Sequence, residues 1–280
     1  MRPDWDSYAV RLLHEDAPAG DLTSEALGLG RQRGRIVFAA RNEMTVAGVE
    51  LAEALLRRAG LEARKHCRSG EKLGRGALLL EGEGEAENLH IAWKSAQTEM
   101  EILSGMATSA RALVDAVALV NANVRVACTR KTFPSARELC QFAVKAGGAI
   151  LHRASLSETL LVFAEHRAFL QQADFFALAA RLRTAAPEKK IAVEVADVTE
   201  AARAIDAGFE VIQLEKFSIA DVAAVVAHAR QAGSSAVIAA AGGVNAANAA
   251  DYVRAGAGLI VTSAPYSAPP RDVQVTISAL

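Results

Sequence analysis

Cationic residues follow two apolar runs in the second half of the sequence. The run VRVAC (124–128) is followed by Arg130 and Lys131, and the run GAILH (148–152) ends in His152 and leads into Arg153. Open α/β sheets and barrels bind their ligands at the ends of such buried strands. Each pair alone is more typical of a solvated surface, but together they predict a site for an anionic ligand.

Carboxylates stand near the ends of two further apolar runs. Glu194 lies in KIAVEV (190–195), and Glu215 ends EVIQLE (210–215), where Lys216 follows it. A carboxylate at the end of a buried strand is costly without a partner or a metal ion. If the two strands are neighbours, we expect Glu194 and Glu215 to share Mg²⁺ or to bind ribose hydroxyls.

Small residues follow the last two runs. AVIAAA (236–241) precedes Gly242 and Gly243, and GLIVTS (258–263) ends in Thr262 and Ser263. The glycines precede VNAANAADYVRAG, which predicts a helix, and backbone N–H groups at a helix start bind phosphate. They are also typical of an ordinary helix start. With the cations and carboxylates, they predict a site for a phosphorylated sugar and an acidic second substrate.

The elements that must position these residues are regularly spaced. The last four runs begin about 20 to 26 residues apart, and helical segments such as TEAARAIDAG separate them. Runs that are apolar throughout are typical of parallel strands covered on both faces. The spacing predicts an α/β barrel or a doubly wound sheet. We favour the barrel because each strand is followed by one helix of similar size.

The first half of the chain has a different pattern. GRIVFAAR and ALLLEGEGE are typical of strands, while VELAEALLRRAG and ENLHIAWKSAQTEMEILSG predict amphipathic helices. Because strands and helices do not alternate regularly, an α+β arrangement is favoured over a parallel sheet. SGMATSARALVDAVALVNA (104–122) then predicts a long apolar helix. We predict one domain over residues 1–105 and a second over 106–267, with the tail 268–280 packing on the first.

The bulk composition excludes several classes of protein. The chain has 280 residues, of which 51% are hydrophobic, and a formal net charge of −1, which argues against nucleic acid or an anionic membrane as the main partner. No signal peptide and no membrane-spanning run is visible. The three cysteines are widely spaced and form no CxxC pair. We therefore expect reduced thiols and a cytoplasmic protein.

Several ordered motifs resemble one enzyme family. TRKTFPSARELCQFAVKAGGAILHR (129–153) resembles the signature of the quinolinate phosphoribosyltransferases, also called nicotinate-nucleotide pyrophosphorylases. The likeness extends to EDAPAGDLTS (15–24), SGMAT (104–108), QLEKF (213–217), AGGVN (241–245) and SAPYSAPPRDV (263–273).

The resemblance implies an α/β protein, with an N-terminal α/β sandwich domain followed by an open α/β barrel. It also implies a homodimer in which each barrel mouth is completed by the partner's N-terminal domain. Enzymes of this family transfer phosphoribose from phosphoribosyl pyrophosphate to the ring nitrogen of quinolinate. Decarboxylation then gives nicotinate mononucleotide, pyrophosphate and CO₂, and the reaction requires Mg²⁺.

The resemblance also implies roles for individual residues. Arg130, His152 and Arg153 would bind the acidic ring substrate. Lys131 would bind the phosphates of phosphoribosyl pyrophosphate, and Glu194 and Glu215 would hold the ribose and the metal. The other residues expected to bind the substrates are Gly242 and Gly243 at the 5′-phosphate, Thr262 and Ser263 in the last loop, and Lys94. Lys94 replaces a family arginine that reaches the neighbouring subunit's site, which keeps the charge and loses the bidentate fork.

The sequence departs from the family pattern at the acceptor end. Phe163 stands where the quinolinate enzymes have a lysine, and Ala239 and Ala241 replace an acid and a serine. Thr262 replaces a glycine and Tyr266 a histidine. This altered set resembles the ModD-type branch, which is associated with molybdenum-transport genes. We expect an acceptor with fewer carboxylates or a more apolar ring.

Two alternatives stay open at this point. A barrel aldolase or isomerase would need a Schiff-base lysine, and Lys216 is the candidate at a strand end. A protein that binds an oxyanion such as molybdate would keep the cations and do without the lost lysine, acid and serine. Turnover with phosphoribosyl pyrophosphate distinguishes the transferase from the carrier.

Overall fold

The computed structural model describes residues 3–170 and 174–280. The elements of the first part of the chain are α1 (Trp5–Asp16), α2 (Leu22–Ala26), β1 (Arg33–Ala40), β2 (Met44–Thr45), α3 (Val49–Arg58), β3 (Glu62–Lys65), β4 (Lys72–Leu73), β5 (Leu78–Glu85) and α4 (Ala86–Ala118). There follow β6 (Arg125–Cys128), α5 (Arg137–Ala146), β7 (Ile150–Leu151), β8 (Leu160–Val162), α6 (Ala164–Arg167), α7 (Phe175–Ala185), β9 (Ile191–Val195), α8 (Val198–Asp206), β10 (Val211–Glu215), α9 (Ile219–Gln231), β11 (Val237–Ala241), α10 (Ala249–Arg254), β12 (Leu259–Thr262), a 3₁₀ turn (Ala264–Ser267) and β13 (Val273–Ala279).

The chain forms two compact units. One contains the chain up to Arg111 together with Thr132–Gly148 and Pro265–Leu280. The other contains Ala112–Lys131 and Ala149–Ala264. No described helix is long and apolar enough to cross a membrane.

The first unit is built on an antiparallel sheet with the strand order β13-β1-β5-β3. In β1 every second residue is buried, including Ile36 and Phe38, so one face of this sheet is apolar. Helices cover it closely: a Cβ atom on Gly82 would lie 2.7 Å from Leu56 of α3, and one on Gly34 would lie 2.7 Å from Leu89 of α4. The predicted α/β sandwich is confirmed.

The second unit contains a parallel sheet with the strand order β7-β6-β12-β11-β10-β9-β8. Strands that follow one another in the chain from β8 to β12 are neighbours in the sheet. The first and last strands in this order, β7 and β8, do not pair in the described part of the chain, so the barrel is open between them. This confirms the predicted open α/β barrel.

The inner face of this sheet carries small residues. A buried cluster joins Ala127, Ala239, Ala241 and Val261, from β6, β11 and β12. Because alternate residues of a strand face the same side, Gln213 and Glu215 of β10 share the inner face with Val211, which packs on this cluster. Alanines at the carboxyl ends of the strands leave volume that larger side chains would fill.

Some predicted elements differ from the structure. The two overlapping helices predicted over 87–105 and 104–122 are one helix, α4. The short strand β8 was not predicted, and β13 pairs antiparallel with β1 along its whole length. The helix predicted directly after Gly242 and Gly243 begins only at Ala249.

Candidate active site

The carboxyl ends of the barrel strands surround a cavity of about 520 Å³. Seven of the predicted site residues line this cavity: Lys131, Glu194, Glu215, Gly242, Gly243, Thr262 and Ser263. They come from β6, β9, β10, β11 and β12 or directly follow them, so the parallel register brings together residues that are far apart in sequence. The volume is in the usual range for small-molecule sites.

The acidic pair sits on neighbouring strands, as predicted. In the register of β9 and β10, Glu194 lies beside Gln213, whose amide Nε2 donates a hydrogen bond to the Glu194 carboxylate. Burial raises the pKa of Glu194, and the nearby charge of Glu215 raises it further, while the Gln213 bond and Lys131 lower it. The pair therefore favours a cation or hydrogen-bond donors between its carboxylates.

The glycine turn after β11 has an unusual backbone. Gly242 and Gly243 have φ values of 80° and 78°, in the left-handed region that glycine tolerates. A Cβ atom on Gly242 would lie 2.6 Å from Lys216 Cγ and 2.7 Å from Glu215 Oε1, whereas one on Gly243 would have no heavy atom within 4 Å. Gly242 is therefore required by the close approach of Glu215, and Gly243 faces open space.

Asparagines hold the rest of this turn. The side-chain amide of Asn248 donates to the Gly243 carbonyl at 3.2 Å, and Asn248 Oδ1 accepts from the Asn245 N–H at 2.8 Å. No described residue accepts a hydrogen bond from the N–H groups of Gly242 or Gly243. Because α10 begins at Ala249, an anion at this turn would bind to these backbone N–H groups and not to a helix N-terminus.

Two lysines line the cavity beside the acids. Lys131 is the predicted one. Lys216 also has a left-handed backbone, with φ of 60°, and its N–H donates to the Ala241 carbonyl at 2.8 Å. This conformation, uncommon for a residue with a Cβ, places the Lys216 side chain against Gly242. The sequence had indicated Lys216 only as a Schiff-base candidate.

The last loop is held by a buried hydroxyl. Thr262 Oγ1 donates to the Val244 carbonyl at 2.6 Å and accepts from the Ala264 N–H at 3.0 Å. Thr262 thus ties β12 to the loop that follows β11, while Ser263 lines the cavity. These bonds indicate that Thr262 positions the two loops at the cavity. Its direct contact with substrate stays a prediction.

The predicted acceptor residues form a second group. Burial lowers the pKa of Arg153, and the charge of Arg130 nearby lowers it further. Burial, followed by the charge of Arg153, lowers the pKa of His152, so this imidazole is neutral at pH 7. Arg153 is only 8% exposed, and its guanidinium lies 5.4 Å from the ring centroid of Phe163.

A second cavity adjoins Arg153. It has a volume of about 640 Å³, and its walls are mostly apolar side chains from β8, α7 and the segments beside them, including Leu161, Val162 and Leu178. The Phe163 ring stacks on His166, with 5.7 Å between the ring centroids and 18° between the ring planes. The surroundings of Arg153 are therefore mostly aromatic and apolar, although Arg181 also lines this cavity and the charge of Arg130 lies nearby.

Lys94 lies on α4 in the first unit. Its Nζ donates to Gln97 Oε1 at 3.3 Å and lies 4.2 Å from the centroid of the Trp93 ring. It lines a cavity of that unit with Asp16 and Glu99. Its predicted contact with a neighbouring subunit's site stays a prediction.

Four polar residues that line the main cavity were not among the predicted site residues: Thr129, Gln213, Asn245, and Lys216, which the sequence had placed only at a strand end. A signal for Gln213 was present. It stands two residues before Glu215, so a strand that points Glu215 inward also points Gln213 inward.

The fold and the cavity together define a class of protein, an open α/β barrel with a polar cavity at the carboxyl ends of its strands. Comparison with known proteins gives the family. The family model for the C-terminal domain of quinolinate phosphoribosyl transferase matches residues 106–276, and the model for the N-terminal domain matches residues 21–104. The chain belongs to the quinolinate phosphoribosyl transferase family.

Individual relatives agree with this assignment. The chain is 48% identical to a Rhodobacter capsulatus protein, ModD, which is named as a pyrophosphorylase, over 90% of this chain and 96% of the relative. It is 39% identical to the ModD of Pasteurella multocida, over 97% of each chain. The structure of a nicotinate-nucleotide pyrophosphorylase from Ehrlichia chaffeensis has a TM-score of 0.91, with 23% identity over 99% of this chain and 100% of the other, which shows a shared fold.

Proposed function

We propose that this protein transfers phosphoribose from phosphoribosyl pyrophosphate to the ring nitrogen of a carboxylated heterocycle. The products would be a mononucleotide and pyrophosphate, with CO₂ released from an acceptor such as quinolinate. The observation that carries the proposal is one cavity that combines an acidic pair, two lysines and a glycine turn at the strand ends. Family membership over both halves of the chain supports it.

The cavity residues fit the parts of the donor. The N–H groups of Gly242 and Gly243 would bind the 5′-phosphate, since they have no acceptor among the described residues. Lys131 and Lys216 would stabilise the negative charge on the departing pyrophosphate. Glu194 and Glu215 would accept hydrogen bonds from the ribose hydroxyls and stabilise positive charge that develops at the anomeric carbon.

A divalent cation fits the acidic pair. No group of three or more metal-binding side chains occurs in the described part of the chain, so a cation here would take its other oxygen ligands from substrate and water. Mg²⁺ is commonly bound in this way, by one or two carboxylates and substrate phosphates. Held by Glu194 and Glu215, it would neutralise part of the pyrophosphate charge and relieve the repulsion that raises the pKa of Glu194.

Arg153 and its surroundings suit an acid with one carboxylate near an apolar ring. The buried guanidinium would bind a carboxylate in bidentate form, with Arg130 and the neutral His152 close by. Phe163 and the leucines of the second cavity would disfavour a second carboxylate that lies against them, because a carboxylate against apolar walls loses its hydration. Arg181, at the wall of the same cavity, is the other cation that such a group could reach. These contacts favour an acceptor less charged than quinolinate.

The experiment that tests the transferase is pyrophosphate release from phosphoribosyl pyrophosphate with Mg²⁺. We would measure it with quinolinate, with nicotinate and without an acid, beside a Glu194→Ala variant. Release that depends on an acid and is lost in the variant supports the proposal. A protein that neither binds phosphoribosyl pyrophosphate nor releases pyrophosphate contradicts it, and measured molybdate binding would then favour the oxyanion carrier.

The acceptor preference has its own test. Phe163→Lys should bind quinolinate more tightly than the natural protein, while Phe163→Leu, which removes the ring without adding charge, should not. Equal quinolinate affinity in the natural protein and the lysine variant would contradict the proposed role of Phe163.

We also propose a homodimer in which Lys94 acts in the partner's site. Lys94→Ala and Glu194→Ala proteins, each inactive alone, should regain activity when they are unfolded and refolded together, because mixed dimers would contain one intact site. No regained activity in verified mixed dimers would contradict this role.

A further inference from the structure

Gln213 is a polar side chain between apolar residues of β10, the strand that ends in Glu215. It lies in the middle of β10, the strand between β9 and β11, and is only 5% exposed. In the register of the sheet it stands between Glu194 on one side and Ala239 on the other. Its side chain lines the main cavity with Glu215.

The Gln213 amide is satisfied at one end only. Its Nε2 donates to Glu194, while its Oε1 is buried and has no hydrogen-bond partner among the described residues. The orientation follows from chemistry, because an ionised carboxylate only accepts hydrogen bonds and must face the NH₂ group. A buried carbonyl oxygen needs a hydrogen-bond donor, and because no described residue supplies one, the donor would come from what occupies the cavity that Gln213 lines.

The groups around this amide determine what can satisfy it. Glu194 and Glu215 offer further acceptors on the same side of the sheet, so the cavity is rich in acceptors at this point. A ligand that fits must present O–H donors to several of them. Two sources have that chemistry, a sugar hydroxyl and a water molecule bound to a divalent cation.

We propose that Gln213 is a specificity-determining residue, whose Oε1 accepts a hydrogen bond from an O–H group of the bound ligand while its Nε2 fixes the Glu194 carboxylate. The inference rests on the proposed function and adds to it a residue that recognises the hydroxylated pentose. An apolar side chain at position 213 would leave Glu194 without its donor and the ligand hydroxyl without its acceptor.

The test measures binding of three sugars by calorimetry: ribose 5-phosphate and its 2-deoxy and 3-deoxy analogues, with EDTA and with Mg²⁺. Gln213→Met is the main variant because methionine has a similar length and no strong hydrogen-bonding group. Ile212→Val is the matched control, since Ile212 is fully buried on the opposite face of the same strand and does not line the cavity. Melting temperatures of both variants check that they fold.

A hydroxyl contact predicts a selective effect. Gln213→Met should weaken binding of ribose 5-phosphate about 3- to 10-fold more than it weakens binding of one deoxy analogue, as expected for one hydrogen bond to the hydroxyl that this analogue lacks. A cation-bound water predicts the same loss for all three sugars, but only with Mg²⁺. Ile212→Val should change neither affinity nor selectivity.

Two results would overturn the inference. Gln213→Met could bind every sugar as the natural protein does, or it could weaken all three equally with and without Mg²⁺, as a purely structural role would. A natural protein that binds none of the sugars contradicts the proposed function itself, and the inference falls with it.

Discussion

A comparison of alanine variants at Gly242 and Gly243 distinguishes the effect of backbone strain from the effect of displacing the Glu215 carboxylate. Gly242→Ala and Gly243→Ala both place a Cβ on a residue with φ near 80°, so each should cost about 1–2 kcal/mol of folding free energy. Only at Gly242 does the new Cβ meet neighbours, 2.7 Å from Glu215 Oε1 and 2.6 Å from Lys216 Cγ. Both atoms belong to flexible side chains that can turn aside, so the extra loss of stability should stay below about 1 kcal/mol.

The functional consequence should be much larger. The Glu215 carboxylate has to withdraw by roughly 0.6 Å to reach ordinary van der Waals contact with the new methyl group. A misplacement of about 1 Å at a reacting centre can cost on the order of 10²-fold in rate. We therefore expect Gly242→Ala to lose about 10- to 100-fold more catalytic efficiency than Gly243→Ala, whose methyl group enters open space.

The assay is pyrophosphate release from phosphoribosyl pyrophosphate with Mg²⁺ and the acid that supports turnover, with calorimetric affinity for the donor as the second readout. Thermal melts show whether both variants carry the same backbone cost. Equal loss of function in the two variants would show that a side chain at position 242 does not act by displacing Glu215. A much lower melting temperature for Gly242→Ala would refute the claim that the contacts are with yielding side chains.

Three further predictions concern stability and reactivity. Because the pKa of Glu194 is raised in the folded protein, ionisation of this carboxyl lowers the folding stability at pH values above the ordinary pKa of 4.5. Glu194→Gln should therefore raise the melting temperature at pH 7, and this gain should vanish as the pH falls below 4.5. A gain that is the same at both pH values would show that ionisation of Glu194 is not its cause. Gly105→Ala should lower the free energy of unfolding by about 2 kcal/mol or more, because its Cβ would overlap the backbone of Pro269. Gly74→Ala, whose Cβ would have no heavy atom within 4 Å, should lower it by less than about 1 kcal/mol. Thermal melts in which Gly105→Ala is not the less stable variant would contradict this close packing. The three cysteines are buried, and burial raises the pKa of the Cys67 and Cys128 thiols to about 12, so the native protein should resist a thiol reagent at pH 8 that labels all three after unfolding.

The barrel strands were predictable because each is recorded in the sequence as a short run of mostly apolar residues. Runs such as AVIAAA and GLIVTS are largely apolar, and their spacing fits one strand and one helix each, so the parallel sheet followed from the sequence. The strand β8 was missed because it has only three residues, which give no periodicity to read. The opening of the barrel between β7 and β8 depends on tertiary pairing that no local pattern records.

The site was predictable where residues directly follow strands. Lys131, Glu194, Glu215 and the glycines meet in one cavity because parallel strands present their carboxyl ends at one edge. The helix predicted directly after the two glycines was wrong, since it begins only at Ala249, and phosphate binding at the glycine turn stays a prediction. Gln213 was missed although its spacing from Glu215 placed it on the inner face, because only the fold shows that its Nε2 binds Glu194 and that its Oε1 has no partner among the described residues.

The proposed transfer of phosphoribose to a ring nitrogen is tested most directly by following the anomeric carbon. Phosphoribosyl pyrophosphate labelled with ¹³C at C1 would be incubated with the protein, Mg²⁺ and each candidate acid, and the C1 resonance would be recorded by NMR. We expect a new resonance of an N-glycosidic carbon, coupled to pyrophosphate release and absent in the Glu194→Ala variant. A C1 resonance that stays that of the donor, or becomes that of free ribose 5-phosphate, with every acid tested would contradict it.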